Sequence, residues 1–217
     1  MKLIYKDDLI AVCEKCAGEL SEGEGNACLP TLLSQALREN GERNTKIFPV
    51  HRLDKDVSGV MVYAKTKAAA ANLSAQMQNG KFKKEYFTVV EGKPLESECL
   101  VDLLFHDKSK NKTYVVKRQR KGVKEAILTY ERLDSKTTDN GELSLLKVKL
   151  ETGRTHQIRV QFASRGFSLF GDRKYGSKAI GNIALFSCKI SFICPAKNER
   201  VTFETNPQND IPWNLFF

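Results

Sequence analysis

Five strand-like segments, at about 83–90, 99–105, 112–118, 124–133 and 143–151, follow one another with no helical pattern between them. A parallel pair needs a crossover of a dozen or more residues, so a run of strands joined this directly makes the sheet largely antiparallel or mixed, with few crossovers. Elsewhere the chain predicts a hairpin of 2–5 and 9–14 around Asp7-Asp8, a helix from Pro30 to Asn40, and a buried strand over 58–64. Thr66 can cap a helix running to Asn79, with Gly80 as its stop, and a second capped pattern runs from Thr155 to Arg165 before Gly166. Strands over 185–193 and 199–205 close the series. The expected class is α+β, a mixed, largely antiparallel sheet with flanking helices. With no repeat, low-complexity tract or linker, residues 1–217 read as a single domain.

The formal charge of +9, from 35 Lys and Arg against 26 Asp and Glu, favours a polyanionic partner such as nucleic acid. The opening MKLIYKDDLIAVCEK carries acids where a signal peptide needs an apolar core, and no stretch approaches a membrane span, so a cytoplasmic protein without membrane contact is expected. Six cysteines in a chain of this length read as reduced thiols acting as small buried hydrophobes. Cys13-x-x-Cys16 has no second pair at ligand spacing, so no metal is expected. The Gly23-x-Gly25 loop is lined with glutamates and does not join a strand to a helix, which argues against a nucleotide cofactor.

Two stretches carry the chemistry. In Pro49–Thr66, His51, Arg52, Asp54, Lys55 and Asp56 crowd onto a loop that feeds into the apolar run Val60–Ala64, so the charges are held against the core. In Glu151–Gly176, a helical wheel places Ile158, Phe162 and Ala163 on one face and Gln157, Gln161 and Ser164 on the opposite, polar one. Arg159 falls within the apolar face. A guanidinium aimed inward keeps its charge and requires a carboxylate from elsewhere. Asp54 is the candidate, with Lys55 and Asp56 solvated. An ionised Asp near a basic surface suits chemistry on a sugar, but a hydrolytic glycosidase uses two carboxyl groups and no second one stands in an equivalent setting.

His51-Arg52-Leu53-Asp54 with Ser58-Gly59, Lys84-Glu85-Tyr86 leading to Gly92, Gly153-Arg154-Thr155-His156-Gln157-Ile158-Arg159, and Gly171-Asp172-x-x-Tyr175-Gly176 together resemble the ordered motifs of the RluA-type pseudouridine synthases. The resemblance runs from about Ile4 to about Phe203, with Cys16, Val57 and Gln161 departing from residues common in the family. It implies that Asp54 initiates cleavage of a uridine's bond between base and ribose, after which the uracil rotates and rejoins through carbon 5. No external reagent is consumed, so no cofactor is implied.

By the same resemblance, Arg159 pairs with the catalytic aspartate and Tyr86 stacks on the base and assists proton removal from carbon 5. Arg52 fills the space left by a flipped uridine. Arg154, Arg173 and Lys174 are candidate phosphate contacts, and Lys84, Gln157, His51 and His156 complete the RNA-contact set, the two histidines chiefly as loop supports. The reading is a monomeric RNA pseudouridine synthase acting on ribosomal or transfer RNA, without the small N-terminal RNA-binding domain of many relatives. The alternatives are a catalytically inactive RNA-binding module of the same fold and a ribosyl hydrolase.

Overall fold

Asp7 makes the first turn. Its Oδ1 accepts from the backbone N–H groups of Leu9 and Ile10, each at 2.8 Å, and so reverses β1 (Lys2–Lys6) into β2 (Ile10–Lys15). The computed structural model describes all of residues 1–217. The elements that follow are α1 (Leu29–Glu39), β3 (Phe48–Pro49), β4 (Ser58–Ala64), α2 (Lys67–Gln78), β5 (Lys83–Glu91), β6 (Ser97–Asp107) and β7 (Lys112–Val116). The chain continues through β8 (Val123–Thr138), β9 (Gly141–Leu150), α3 (Gln157–Ala163), β10 (Leu185–Ile193) and β11 (Arg200–Glu204). They gather into two compact units, Met1–Lys84 with Ser187–Asn206 and Glu85–Phe186 with Pro207–Phe217, the chain passing between them within β5 and β10.

In the first unit the strand order is β1-β2-β4-β10, with β3 on β4 and β11 on β10. β2 and β4 pair antiparallel from Ile10↔Ala64 to Lys15↔Gly59. Ile10, Val12, Val60, Val62, Leu73, Phe82, Ile190 and Phe192 form one buried cluster, each large side chain contributing about 1.5–3 kcal/mol of hydrophobic stabilisation. Thr66 caps α2 by accepting from the Ala69 N–H, and Leu73 faces the cluster as the helical spacing predicts. Gly59 has φ +119°, and a Cβ there would stand 2.3 Å from the Ser187 carbonyl oxygen, so only glycine lets β4 and β10 approach this closely.

In the second unit the order is β5-β9-β8-β6-β7, and the neighbours β5–β9, β9–β8, β8–β6 and β6–β7 are all antiparallel. The antiparallel pairing agrees with what the helix-free run of strands favours. Leu104, Ala126, Val160 and Tyr175 form a buried cluster against α3, while Phe162 meets Tyr130 edge-on with ring centroids 5.1 Å apart.

The structure corrects two expectations. Cys16 and Cys99 are exposed free thiols, whereas Cys13, Cys28, Cys188 and Cys194 are buried. Cys16 lies just past β2, where its Sγ accepts from the N-terminal ammonium, and Cys99 lies on β6. Helix α3 is shorter than predicted and lacks a polar outer face: Gln157 and Gln161 are buried like Ile158 and Phe162. Gln161 Nε2 donates to Asp102 Oδ2 at 2.8 Å, and Gln157 Nε2 donates to the Ile127 carbonyl at 3.1 Å, so both amide N–H groups point into the unit, while Gln161 Oε1 is buried without a partner. No helix is long and apolar enough to cross a membrane.

Candidate active site

The charged loop before β4 is fastened along its length, and the fastenings come from groups near the start of the chain. Ser21 Oγ donates to the Leu53 carbonyl at 2.8 Å and accepts from the Leu53 N–H at 3.0 Å. Lys15 is wholly buried, and its Nζ donates to the carbonyls of Cys16, Lys55 and Val57 at 3.1, 2.7 and 2.6 Å. The Gly18 N–H donates to the Lys55 carbonyl as well, and the Val57 N–H closes a turn onto the Asp54 carbonyl. Leu53 and Val57 sink into the core on either side, leaving Asp54 half-buried and Lys55 and Asp56 exposed. Burial pulls the Lys15 ammonium down to about 8, against the raising charges of Glu19, Asp56 and Asp54. Lys15 therefore remains a cation at neutral pH.

The two residues ahead of Leu53 differ in kind. Arg52 is exposed and pairs with Glu22 Oε1 at 2.7 Å, so the Gly23-x-Gly25 loop supplies a surface acid to the site loop. His51 Nε2 accepts from the Val62 N–H at 3.1 Å, which leaves the ring neutral with its proton on Nδ1. Burial, aided by the charge of Lys84, pushes the pKa of His51 down to about 3. An unfolded imidazole titrates near 6.5, so between about 6.5 and 3 the unfolded state binds the extra proton and stability falls as the pH drops. Melting temperatures of wild type and His51→Gln measured between pH 6.5 and 5 check this. The wild type should lose stability more steeply, and equal slopes would show that His51 is not the responsible group.

In the second unit, Arg159 Nε donates to Asp172 Oδ2 at 2.6 Å and its Nη2 donates to Asp172 Oδ1 at 2.8 Å. Both side chains are buried, at 5% and 1% exposure, and the guanidinium lies 5.1 Å from the centroid of the Tyr175 ring. This fork-to-fork pair fixes the plane of the guanidinium as well as its charge. Asp172 is a carboxylate partner of Arg159 to which the sequence assigns no role. The Gly171-Asp172 motif held the signal. Gly171 has φ +77°, and a Cβ on it would meet the Asn182 carbonyl oxygen at 2.3 Å, which keeps the turn that delivers Asp172 tight.

Tyr175 joins this pair to the loop before α3. Its hydroxyl accepts from the Thr113 N–H at 2.8 Å and lies 2.9 Å from His156 Nδ1. His156 is buried and left-handed, with φ 54°, an uncommon conformation for a non-glycine residue that the surrounding contacts must hold. Gln157 Oε1 accepts from the Arg154 N–H and from Thr152 Oγ1, tying down the loop through Gly153. Arg154 is half-buried with its Nε on the Glu125 carbonyl, while Arg173 and Lys174 are exposed on a single 3-10 turn, Arg173–Tyr175. Tyr86 lies buried on β5, opposite Val148 of β9. Lys84 sits at the start of the same strand, and burial lowers its pKa. Lys15, Ser21 and Asp172 are the residues at these loops that sequence reasoning missed.

The arrangement of strands is that of RNA pseudouridylate synthase domains. Human RNA Pseudouridylate Synthase Domain Containing 4 superposes with a TM-score of 0.78 over 95% of this chain and 88% of its own, at 19% identity. Human RNA Pseudouridylate Synthase Domain Containing 1 gives 0.77 over 97% and 84%, at 20% identity. In sequence, residues 9–164 match the RNA pseudouridylate synthase family model. An uncharacterized RNA pseudouridine synthase of Aquifex aeolicus is 36% identical over 94% of this chain and 68% of its own length. The ribosomal large subunit pseudouridine synthase D of Zymomonas mobilis is 32% identical over 97% and 70%. The chain belongs to the RluA-type family of RNA pseudouridine synthases, which are isomerases.

Proposed function

We propose that the protein isomerises specific uridines of ribosomal or transfer RNA, and that Asp54 initiates the reaction. The observation that carries this reading is the fastening of the Asp54 loop. Lys15 and Ser21 spend buried polar groups on the backbone at Leu53, Lys55 and Val57, which is the kind of support a reacting carboxylate needs to keep its aim. In the reaction the bond from ribose C1′ to N1 breaks, the uracil turns, C1′ bonds to C5, and the C5 proton leaves while N1 gains one. Tyr86 stacks on the base and assists loss of the C5 proton, and Arg159, its plane set by Asp172, is the cation assigned to the catalytic aspartate. Arg52, Arg154, Arg173 and Lys174 contact the RNA, with His51, Lys84, His156 and Gln157 holding those contacts in place.

On this reading the chain acts as one catalytic domain, monomeric, in the cytoplasm and without a nucleotide cofactor. A relative named for the large ribosomal subunit favours ribosomal RNA as the first substrate to try. The test incubates the protein with ribosomal and transfer RNA labelled with tritium at uridine C5. Tritium should appear in solvent with no free uracil. Release of uracil would indicate a ribosyl hydrolase, and RNA binding with no tritium release would indicate a module that has lost catalysis.

A further inference from the structure

The positive charge of this protein is concentrated around one hairpin, β6–β7, and the crossing that follows it to β8. Residues 108–124, KSKNKTYVVKRQRKGVK, hold eight of the 35 Lys and Arg and none of the 26 Asp and Glu. The other 200 residues are left with 27 cationic side chains against 26 acidic ones, close to neutral. Basicity kept only for solubility has no reason to gather in one place. Seven of the eight are exposed, Lys112 being half-buried. None forms an ion pair, although Lys and Arg elsewhere are paired with acids on both units.

The hairpin is an ordered surface. β7 is the last strand of its sheet, paired with β6 from Leu103↔Val116 to Asp107↔Lys112. β8 begins on the other side of β6 at Phe105↔Val123, so residues 117–122 must cross β6 to reach it. They cross at Phe105, where the Arg120 guanidinium lies 4.8 Å from the ring centroid and a Cβ on Gly122 would touch the ring at 3.5 Å. Within the crossing, the Val123 N–H donates to the Arg120 carbonyl and Gln119 Nε2 donates to the Val123 carbonyl. The exposed 3-10 turn adjoins it: Lys174 Nζ donates to the Asn111 carbonyl at 3.1 Å, and Lys112 Nζ lies 5.3 Å from the Tyr175 ring centroid. Arg173 and Lys174 thus extend the same cationic surface.

We propose that residues 108–124 form the principal docking surface for the phosphate backbone of the substrate RNA. The proposal deepens the pseudouridine synthase reading and rests on it. A run of exposed cations that form no ion pair suits a polyanion whose charges recur along its length. An anionic membrane is the poorer match, because residues 117–122 contain no apolar side chain to insert.

One variant carries Lys117→Gln, Arg118→Gln, Lys121→Gln and Lys124→Gln, sparing Arg120, which packs on Phe105. A control carries Lys2→Gln, Arg38→Gln, Lys67→Gln and Lys81→Gln, four exposed cations of the first unit. Affinity for deproteinised ribosomal RNA is measured against salt, and KM and kcat by tritium release. The hairpin variant should lower the log–log salt slope by about three, raise KM about tenfold or more, and leave kcat within about twofold, with the control near wild type. Equal weakening of both variants, or an unchanged slope, overturns the proposal. So does loss of binding to phosphatidylserine vesicles with RNA affinity intact. If the wild type releases no tritium from any RNA, the pseudouridine reading fails, while the salt slopes still decide whether the hairpin docks RNA.

Discussion

Asp54→Asn is expected to lower turnover roughly 10⁴-fold or more while RNA affinity stays within a few-fold of wild type. The amide keeps the shape of the side chain and removes the negative charge, which is required whether the aspartate attacks the ribose carbon or takes a ribose proton. The fold should survive the change, because the loop is fastened through the backbone of Leu53, Lys55 and Val57 by Ser21 and Lys15. Tritium release under single-turnover conditions reads the chemistry, and filter binding reads the affinity. Activity within a factor of a few of wild type would remove Asp54 from the mechanism.

Arg159→Met should be the most damaging change to stability. It leaves the Asp172 carboxylate, 1% exposed, without the fork that neutralises it, at a cost of about 3–5 kcal/mol. For a chain of this size that corresponds to a fall in melting temperature of roughly 10 °C. Adding Asp172→Leu removes the stranded charge, so the double variant should melt no lower than Arg159→Met alone. Activity should be absent from both, since Arg159 is assigned to the aspartate and leucine restores only the packing. Melts of all four proteins in the cycle decide it. Strictly additive losses would mean that the two side chains do not stabilise each other, and recovery of turnover in the double variant would leave Arg159 with a purely structural role.

The strands themselves and the largely antiparallel character of the sheet are legible in the amino-acid sequence, because local rules decide them. Asp7 can turn the chain on itself, Thr66 can cap the helix that follows it, and five strands in a row without a crossover favour a largely antiparallel sheet. The inward aim of Arg159 is legible too, since a helical wheel needs only the neighbouring turns. That Asp172 meets it is not. Asp172 stands 13 residues away behind a glycine turn whose tightness depends on the Asn182 carbonyl. Gln157 and Gln161 look like a solvent face on the same wheel, and only packing against β6 and β8 shows them buried with partners. Lys15 lies just past the expected strand over 9–14, and nothing in the sequence singles it out. Its burial becomes possible only when residues 40 and 42 positions further on bring it two carbonyls, a contact that no local pattern encodes. The hairpin charges can be counted along the chain, but it takes the path of residues 117–122 across Phe105 to show that they form a single ordered surface. Periodicity reports which side of an element is apolar, and tertiary packing alone decides what is placed against it.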